Sequence, residues 1–344
     1  DTTGTSNKTF LGEFVDQADT TTIKPIDAEA ILAQIDAHPI RKQALKDARL
    51  FKYRLRFSND MILAGATNNI ILNRYQPYAG ANGPIYPNNG NNLSWALFAS
   101  LSDIMEDYRI TGGVKPGINF TDNEYYVNFM NYRRRLDWGG SYYKASTSSI
   151  NVQLPGTNLF YPGRINTNLY EGHLVYPLDR VRSVRLTTGL RFDRIIIKAL
   201  DTPSLKAPDR NLKFWNTRLE YVHDNALERT QNIWNGLRYK FYIDNILQLE
   251  KPAGTGVGPR QHTLNFGGDA RYYVPIYRNF IWALRGAFDV SWGNSKLIYF
   301  LGGADNWISP KFNTHNRPDP TVNYIYQSLA ENMRGFQQNV TNGN

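Results

Sequence analysis

Charged side chains recur at every second position along several extended stretches of this 344-residue chain. Arg185, Arg191 and Asp193 share one phase of "VRLTTGLRFD", and Arg238, Lys240 and Asp244 share one phase of "LRYKFYIDNILQL". Asp269 and Arg271 do so in "TLNFGGDARYYV", Arg285 and Asp289 in "FIWALRGAFDVSW", and Arg218 and Glu220 lie two apart near by. On a strand, residues two apart point to the same face, so these groups would form one surface carrying both signs. Such a surface can line a pore that selects solutes or binds a passing chain. It can also be a network of ion pairs that fills a narrow interior. Opposite charges at matching heights favour the network, because an open pore has no need of so many partners.

Bond-breaking chemistry finds little support. The five histidines (His38, His173, His223, His262, His315) are scattered, with no HExxH and no paired metal spacing. Cysteine is absent, which removes disulfides, thiolate metal sites and cysteine nucleophiles. There is no Gly-x-Ser-x-Gly elbow and no phosphate-binding Gly-x-x-x-x-Gly-Lys loop. The adjacent His223 and Asp224 read as a turn pair. No catalytic residue, metal or cofactor is therefore expected. The remaining candidate is Met333-Arg334-Gly335-Phe336, where glycine beside arginine suggests a tight turn that lets a guanidinium reach a fixed partner.

The elements that must position these groups are strands. In residues 280–292, Phe280, Trp282, Leu284, Phe288, Val290 and Trp292 take one phase, against Ala283, Arg285, Asp289 and Ser291 in the other. The stretch is long for a soluble strand, and an aromatic stands at each end of its apolar face, as at a bilayer interface. Leu186, Phe241 and Phe266 take the same apolar phase in their strands. Strands are expected near 51–63, 93–104, 107–117, 123–134, 136–147, 165–176, 181–198, 212–225, 233–250, 262–275 and 279–293. Their connections alternate between long, as at 64–92, and short, as in "IMED" and "PLDR". No apolar run approaches the ~20 residues of a membrane helix, but barrel strands cross with about 10 alternating residues. The net charge of +9 is spread among aromatics rather than gathered in a run, so nucleic acid is not an expected partner. Residues 1–50 differ: a polar, Thr-rich linker leads into "PIDAEAILAQIDAHP", a short helix capped by Asp27 and stopped by Pro39.

Two resemblances follow from these residues. Met333, Arg334, Gly335 and Phe336, in a long sixth connection, resemble the loop-lock motif of the outer-membrane assembly and translocation superfamily typified by BamA and TamA. Leu301, Gly302 and Gly303, in "FLGGADNW", resemble the segment that opens the same loop. More closely, "YRLRFSNDM", "NRYQPY", "LSDIMEDYRITGGVK", "NEYYVNFMNYRRRLDW" and "NMRGFQQNVTNGN" are similar to the C-terminal barrel of Bacteroidota proteins described as TolB-like. In those, a WD-type propeller precedes the barrel.

The resemblance implies an all-β fold, a transmembrane antiparallel outer-membrane β-barrel of a 16-stranded family. About eleven strands would lie in this sequence, and about five would follow it. Residues 1–50 would be a periplasmic linker with short helices, 51–293 the strands, and 294–344 a sixth extracellular loop folded into the lumen. There Arg334 would meet a carboxylate on the strands expected to follow, with Asp269 or Asp289 as fallbacks within this chain, and Phe336 would wedge among lumen side chains. The polar sixth loop would depend on that anchor, having little hydrophobic burial of its own. The implied function is a non-enzymatic subunit of a translocation or assembly complex in a Gram-negative outer membrane, with lipid and with periplasmic and outer-membrane proteins as partners. The alternatives are an accessory barrel anchoring a periplasmic propeller or partner complex, and a plugged solute channel.

Overall fold

The computed structural model describes residues 54–67, 75–78, 94–117, 122–153, 160–250, 259–278, 280–303, 311–333 and 335–344. The linker and helices expected over 1–50 lie outside the described residues.

Eleven strands pair with their sequence neighbours, all antiparallel, in one large sheet. They are β1 (Phe57–Thr67), β3 (Ser94–Asp103), β4 (Tyr108–Lys115), β5 (Glu124–Asn131), β6 (Asp137–Gln153), β7 (Phe160–Pro177), β8 (Arg182–Ile197), β9 (Arg210–Asp224), β11 (Ile233–Gln248), β12 (His262–Tyr277) and β13 (Phe280–Gly293). The short β10 (Leu227–Thr230) extends the turn between β9 and β11 by pairing with β11. The path runs from β1 to β13, and no described strand joins its two ends. The sheet is therefore not closed. No described helix is long and apolar enough to cross a membrane; the one described, α1 (Thr202–Leu205), is a single turn capped by Asp201.

Alternation explains the two faces. Across β9 and β11, Leu219 opposes Ile243 and Tyr221 opposes Phe241 on one face, while Arg218 opposes Asp244 on the other. Phe241, Phe266 and Phe288 form a continuous aromatic cluster on the first face, with centroids 5.4–6.5 Å apart. Trp282, Phe288 and Phe241 are exposed there, and Leu186 and Phe266 partly so. The apolar and charged phases read from the sequence are thus the two faces of the sheet.

Three boundaries differ most from expectation. The first strand begins at Phe57, not at 51, and carries a bulge between Asn59 and Met61. β6 and β7 run on to Gln153 and back to Phe160, well past the expected 147 and 165. A bulge at Ser148/Ile150 shifts the phase of Ile150 and Val152, and Pro162 and Gly163 are poor strand formers, so the alternation that reveals a strand is interrupted there.

The segment expected as one polar loop forms a second sheet. It orders β16 (Thr341–Gly343), β14 (Lys296–Gly302), β15 (Tyr324–Asn332) and β2 (Gln76–Pro77), with β14 and β15 parallel. The expectation of little hydrophobic burial is corrected here: Leu297, Ile298 and Phe300 are 0% exposed. Leu297, Ile325 and Tyr326 pack with Phe214 of β9 and Ile246 of β11, both on the charged face of the large sheet. Ile298 and Phe300 form a second cluster with Tyr78, Phe312, Tyr324 and Leu329. The small sheet therefore has its own apolar core and sits on the charged face, held at both places by ordinary burial.

Candidate functional site

β8 places Arg191 and Asp193 on the charged face, two residues apart, and both are buried. Arg191 Nε donates to Asp193 Oδ2 at 2.8 Å. Its Nη1 donates to the Tyr75 carbonyl at 2.9 Å, and the guanidinium stands 4.5 Å from the centre of the Tyr326 ring. Asp193 also accepts from Thr167 Oγ1 at 2.6 Å and from Tyr326 Oη at 3.4 Å. A single buried ion pair thus holds a piece of the first long connection (Tyr75) and a strand of the small sheet (Tyr326) on the wall. Its hydrogen bonds are what make the burial tolerable, since an uncompensated charge here would cost several kcal/mol, roughly 3–5.

A second group lies on β9, β11, β12 and β13. Asp244 accepts from Tyr75 Oη at 2.8 Å and from Arg218 Nη1 at 3.3 Å. Arg218 also donates to Glu220 at 2.7 Å and lies 4.0 Å from the centre of the Tyr242 ring. Tyr242 Oη in turn donates to Asp289 at 2.5 Å, and Asp289 accepts from Asn265 Nδ2 at 3.1 Å and Tyr299 Oη at 3.3 Å. Burial pushes the Tyr326 and Tyr75 phenols well above their ordinary range, and the neighbouring carboxylates push the same way. Burial and then Asp289 do the same to Tyr299. The three phenols are therefore held as hydrogen-bond donors, the form their carboxylate partners need.

The other expected charges pair locally. Arg238 meets Asp224 at 2.6 Å; Arg271 and Arg285 share Asp269 at 3.0 and 2.8 Å. Arg185, at the exposed end, donates to Ser183 Oγ at 3.3 Å. His223 and Asp224 do not act together, for His223 stacks on Tyr239 at 4.9 Å while Asp224 faces Arg238. The arrangement is an ion-pair and tyrosine network, the reading that mixed signs at matching heights favoured.

The two sequence motifs touch each other. Met333 N donates to the Gly302 carbonyl at 3.0 Å, and Val340 N donates to the Leu301 carbonyl at 2.8 Å. A Cβ on Gly303 would fall 2.0 Å from the Phe336 carbonyl oxygen, and one on Gly302 would fall 2.2 Å from that of Gln337. Glycine is required at both positions so that the two segments can approach this closely. Gly335 needs no such close approach and takes the tight turn expected of it. Nothing lies within 4 Å of where its Cβ would be, so its need is conformational, a φ of +81°. Phe336 is 52% exposed and is not wedged among wall side chains. Arg334 lies outside the described residues. Its two suggested partners in this chain are already engaged, Asp269 by two arginines and Asp289 by Tyr242, Asn265 and Tyr299.

Sequence reasoning missed the tyrosines. Tyr242 was findable, because it shares its phase with Arg238, Lys240 and Asp244. Tyr75, Tyr299 and Tyr326 carry no local signal, since their places depend on contacts between distant segments. Also missed was a hydrogen-bonded row across the charged face, Ser141 Oγ to His173 Nε2 at 2.8 Å and His173 Nδ1 to Thr187 Oγ1 at 3.2 Å. A hydroxyl holds the second nitrogen, where a hydrolytic triad would use a carboxylate. Among the described residues no group of three or more His, Asp or Glu side chains could hold a metal ion. The chain matches no family model and no curated protein.

Proposed function

We propose that this chain is the wall and plug of an outer-membrane β-barrel, a non-enzymatic member of the BamA/TamA-like superfamily working in a protein translocation or assembly complex. One observation carries the membrane reading: a single sheet bears exposed aromatic and aliphatic side chains on one face and a paired charged face, covered in part by a small sheet, on the other. In water that exposed face would be an aggregation hazard; in lipid it is the stable arrangement. Aromatic residues gather in cross-strand rows, Tyr221 beside Tyr239 close to the short turns and Tyr142 beside Tyr170 further along the strands, as the girdles of an apolar band do. The proximity of the Leu-Gly-Gly and Met-Arg-Gly-Phe segments supports the superfamily reading.

The saturated ion pairs and the packed small sheet also favour a second reading, a sealed barrel that anchors partner proteins without conducting. Removing residues 297–344 from the full protein separates the readings in planar bilayers and in cells. A translocation subunit loses delivery of its client proteins to the outer membrane. An anchor retains delivery and loses only the stability of its complex, and a plugged channel begins to conduct. Recovery of the full protein in the soluble fraction would defeat all three.

A further inference from the structure

On the apolar face, Tyr142, Tyr170, Leu190 and Trp215 stand side by side across β6, β7, β8 and β9. One step further toward the long connections, the chemistry changes abruptly. The next row is Lys144, Asn168, Phe192 and Lys213, and the one after it is Ser146, Asn166, Arg194 and Asn211. β6 and β7 continue past these rows, beyond their expected limits at 147 and 165. Between the strands lies a groove of about 390 Å³ whose walls include Lys144, Ser146, Arg164, Asn166, Asn168 and Arg194, and among the described residues no acidic side chain lines it.

The hydrogen bonds inside the groove use up acceptors and leave donors. Ser146 Oγ donates to Asn166 Oδ1 at 2.8 Å, and Tyr142 Oη donates to Asn168 Oδ1 at 3.2 Å. Both carboxamide oxygens are thereby engaged, while neither amide nitrogen has a protein partner among the described residues. Arg164 Nε donates to Ser146 Oγ at 2.8 Å, which fixes that side chain at the groove wall. Asp209, outside the groove, neutralises Arg194 through Nε at 2.9 Å and Nη2 at 2.5 Å. Lys144 is exposed and makes no ion pair among the described residues. The groove thus offers a net positive, donor-rich pocket directly beside an aromatic row, on the face given to lipid.

We propose that this groove binds the phosphate of an anionic membrane lipid, with the acyl chains lying down the aromatic row below it. The proposal rests on the membrane reading above. Cations just outside an apolar band attract anionic headgroups by roughly 1 kcal/mol each, or about fivefold in affinity. Two amide donors with fixed oxygens would add hydrogen bonds to the phosphate oxygens.

The test reconstitutes the full chain in phosphatidylcholine vesicles containing a minor fraction of phosphatidic acid, and counts the lipids retained after extraction into mild detergent. Wild type is expected to retain phosphatidic acid preferentially, the Lys144→Gln variant about fivefold less, and Lys144→Gln/Arg164→Gln roughly tenfold less or lower. Excess inorganic phosphate is expected to displace little of it. Equal retention by wild type and both variants, with heat-modifiable migration on gels unchanged, overturns the site. Full displacement by inorganic phosphate overturns the lipid assignment in favour of a free-anion site. Insertion into vesicles of phosphatidylcholine alone reads the membrane proposal separately: failure to insert defeats both, and insertion with equal retention defeats only the groove.

Discussion

The large sheet and the small sheet are stabilised in opposite ways. In the large sheet, each strand is held by the ladder to its sequence neighbours, and many of its biggest apolar side chains, such as Trp95, Trp215, Trp282 and Trp292, stay exposed. In the small sheet, strands from residues 76–77, 296–302, 324–332 and 341–343 come together, and Leu297, Ile298 and Phe300 of β14 vanish from the surface. One leaves its large apolar side chains on an open face, as the proposed membrane wall would; the other buries them in a conventional core. The difference teaches that the small sheet is held by burial, part of it against Phe214 and Ile246 of the large sheet, with the Arg191, Asp193 and Asp244 hydrogen bonds added to that burial.

The sharpest way to break this contrast is at Phe300, fully buried and edge-on to Phe312 at 5.6 Å. Phe300→Ala should cost about 3–5 kcal/mol, felt within the small sheet. Hydrogen exchange should show protection lost over β14 and β15 and kept over β6 to β9; loss across both would mean the two sheets form one cooperative unit. Next comes the wall. Phe288→Arg at the middle of the apolar face should cost about 2–4 kcal/mol in a bilayer, measured by urea titration of vesicle-embedded protein. The same change should be nearly silent if that face meets water.

Alkaline pH sharpens the comparison without mutation. The Tyr75 and Tyr326 phenols are raised above their ordinary value of 10 by burial and adjacent carboxylates. A raised folded value favours the neutral form, so their stabilisation is complete below pH 10 and is lost as the pH climbs beyond it. The small sheet should therefore loosen from the wall above pH 10 while strand signals persist, which tyrosine difference absorbance and limited proteolysis would follow together. The smallest effect is expected at the exposed Lys213–Glu250 pair, 2.6 Å apart at the rim. Lys213→Ala should change stability by less than about 1 kcal/mol, and less still in high salt.

Much of the wall was legible because barrel-like alternation is a local property. Phe280, Trp282, Leu284 and Phe288 announce their strand without reference to any neighbour, and eleven such strands in sequence order match the observed path. The outer ends of β6 and β7 were illegible because the bulge at Ser148/Ile150 shifts the phase of their apolar residues and Pro162 and Gly163 interrupt the pattern. β14 was missed for another reason: "KLIYFLG" is buried on both sides, so it shows no alternation, and its parallel partner lies beyond a connection from 303 to 323. Of the site, the charged residues were visible by phase and the contact between the glycine segments by motif. The tyrosines that join the first connection to the plug were not, because their positions follow from pairings that span most of the chain.

The pairing of Gln76–Pro77 with Tyr326 and Gln327 sets an order in time. The segment at 76–77 is synthesised early, yet its strand partner does not exist until some 250 further residues have been made. Until then Tyr75 has no Tyr326 to stack on, and Arg191 has only half of what it clasps. The first connection is consequently a late-closing part of an early-made region. An assembling chain would pass through a stage with the large sheet zipped and Tyr75 not yet seated on Tyr326.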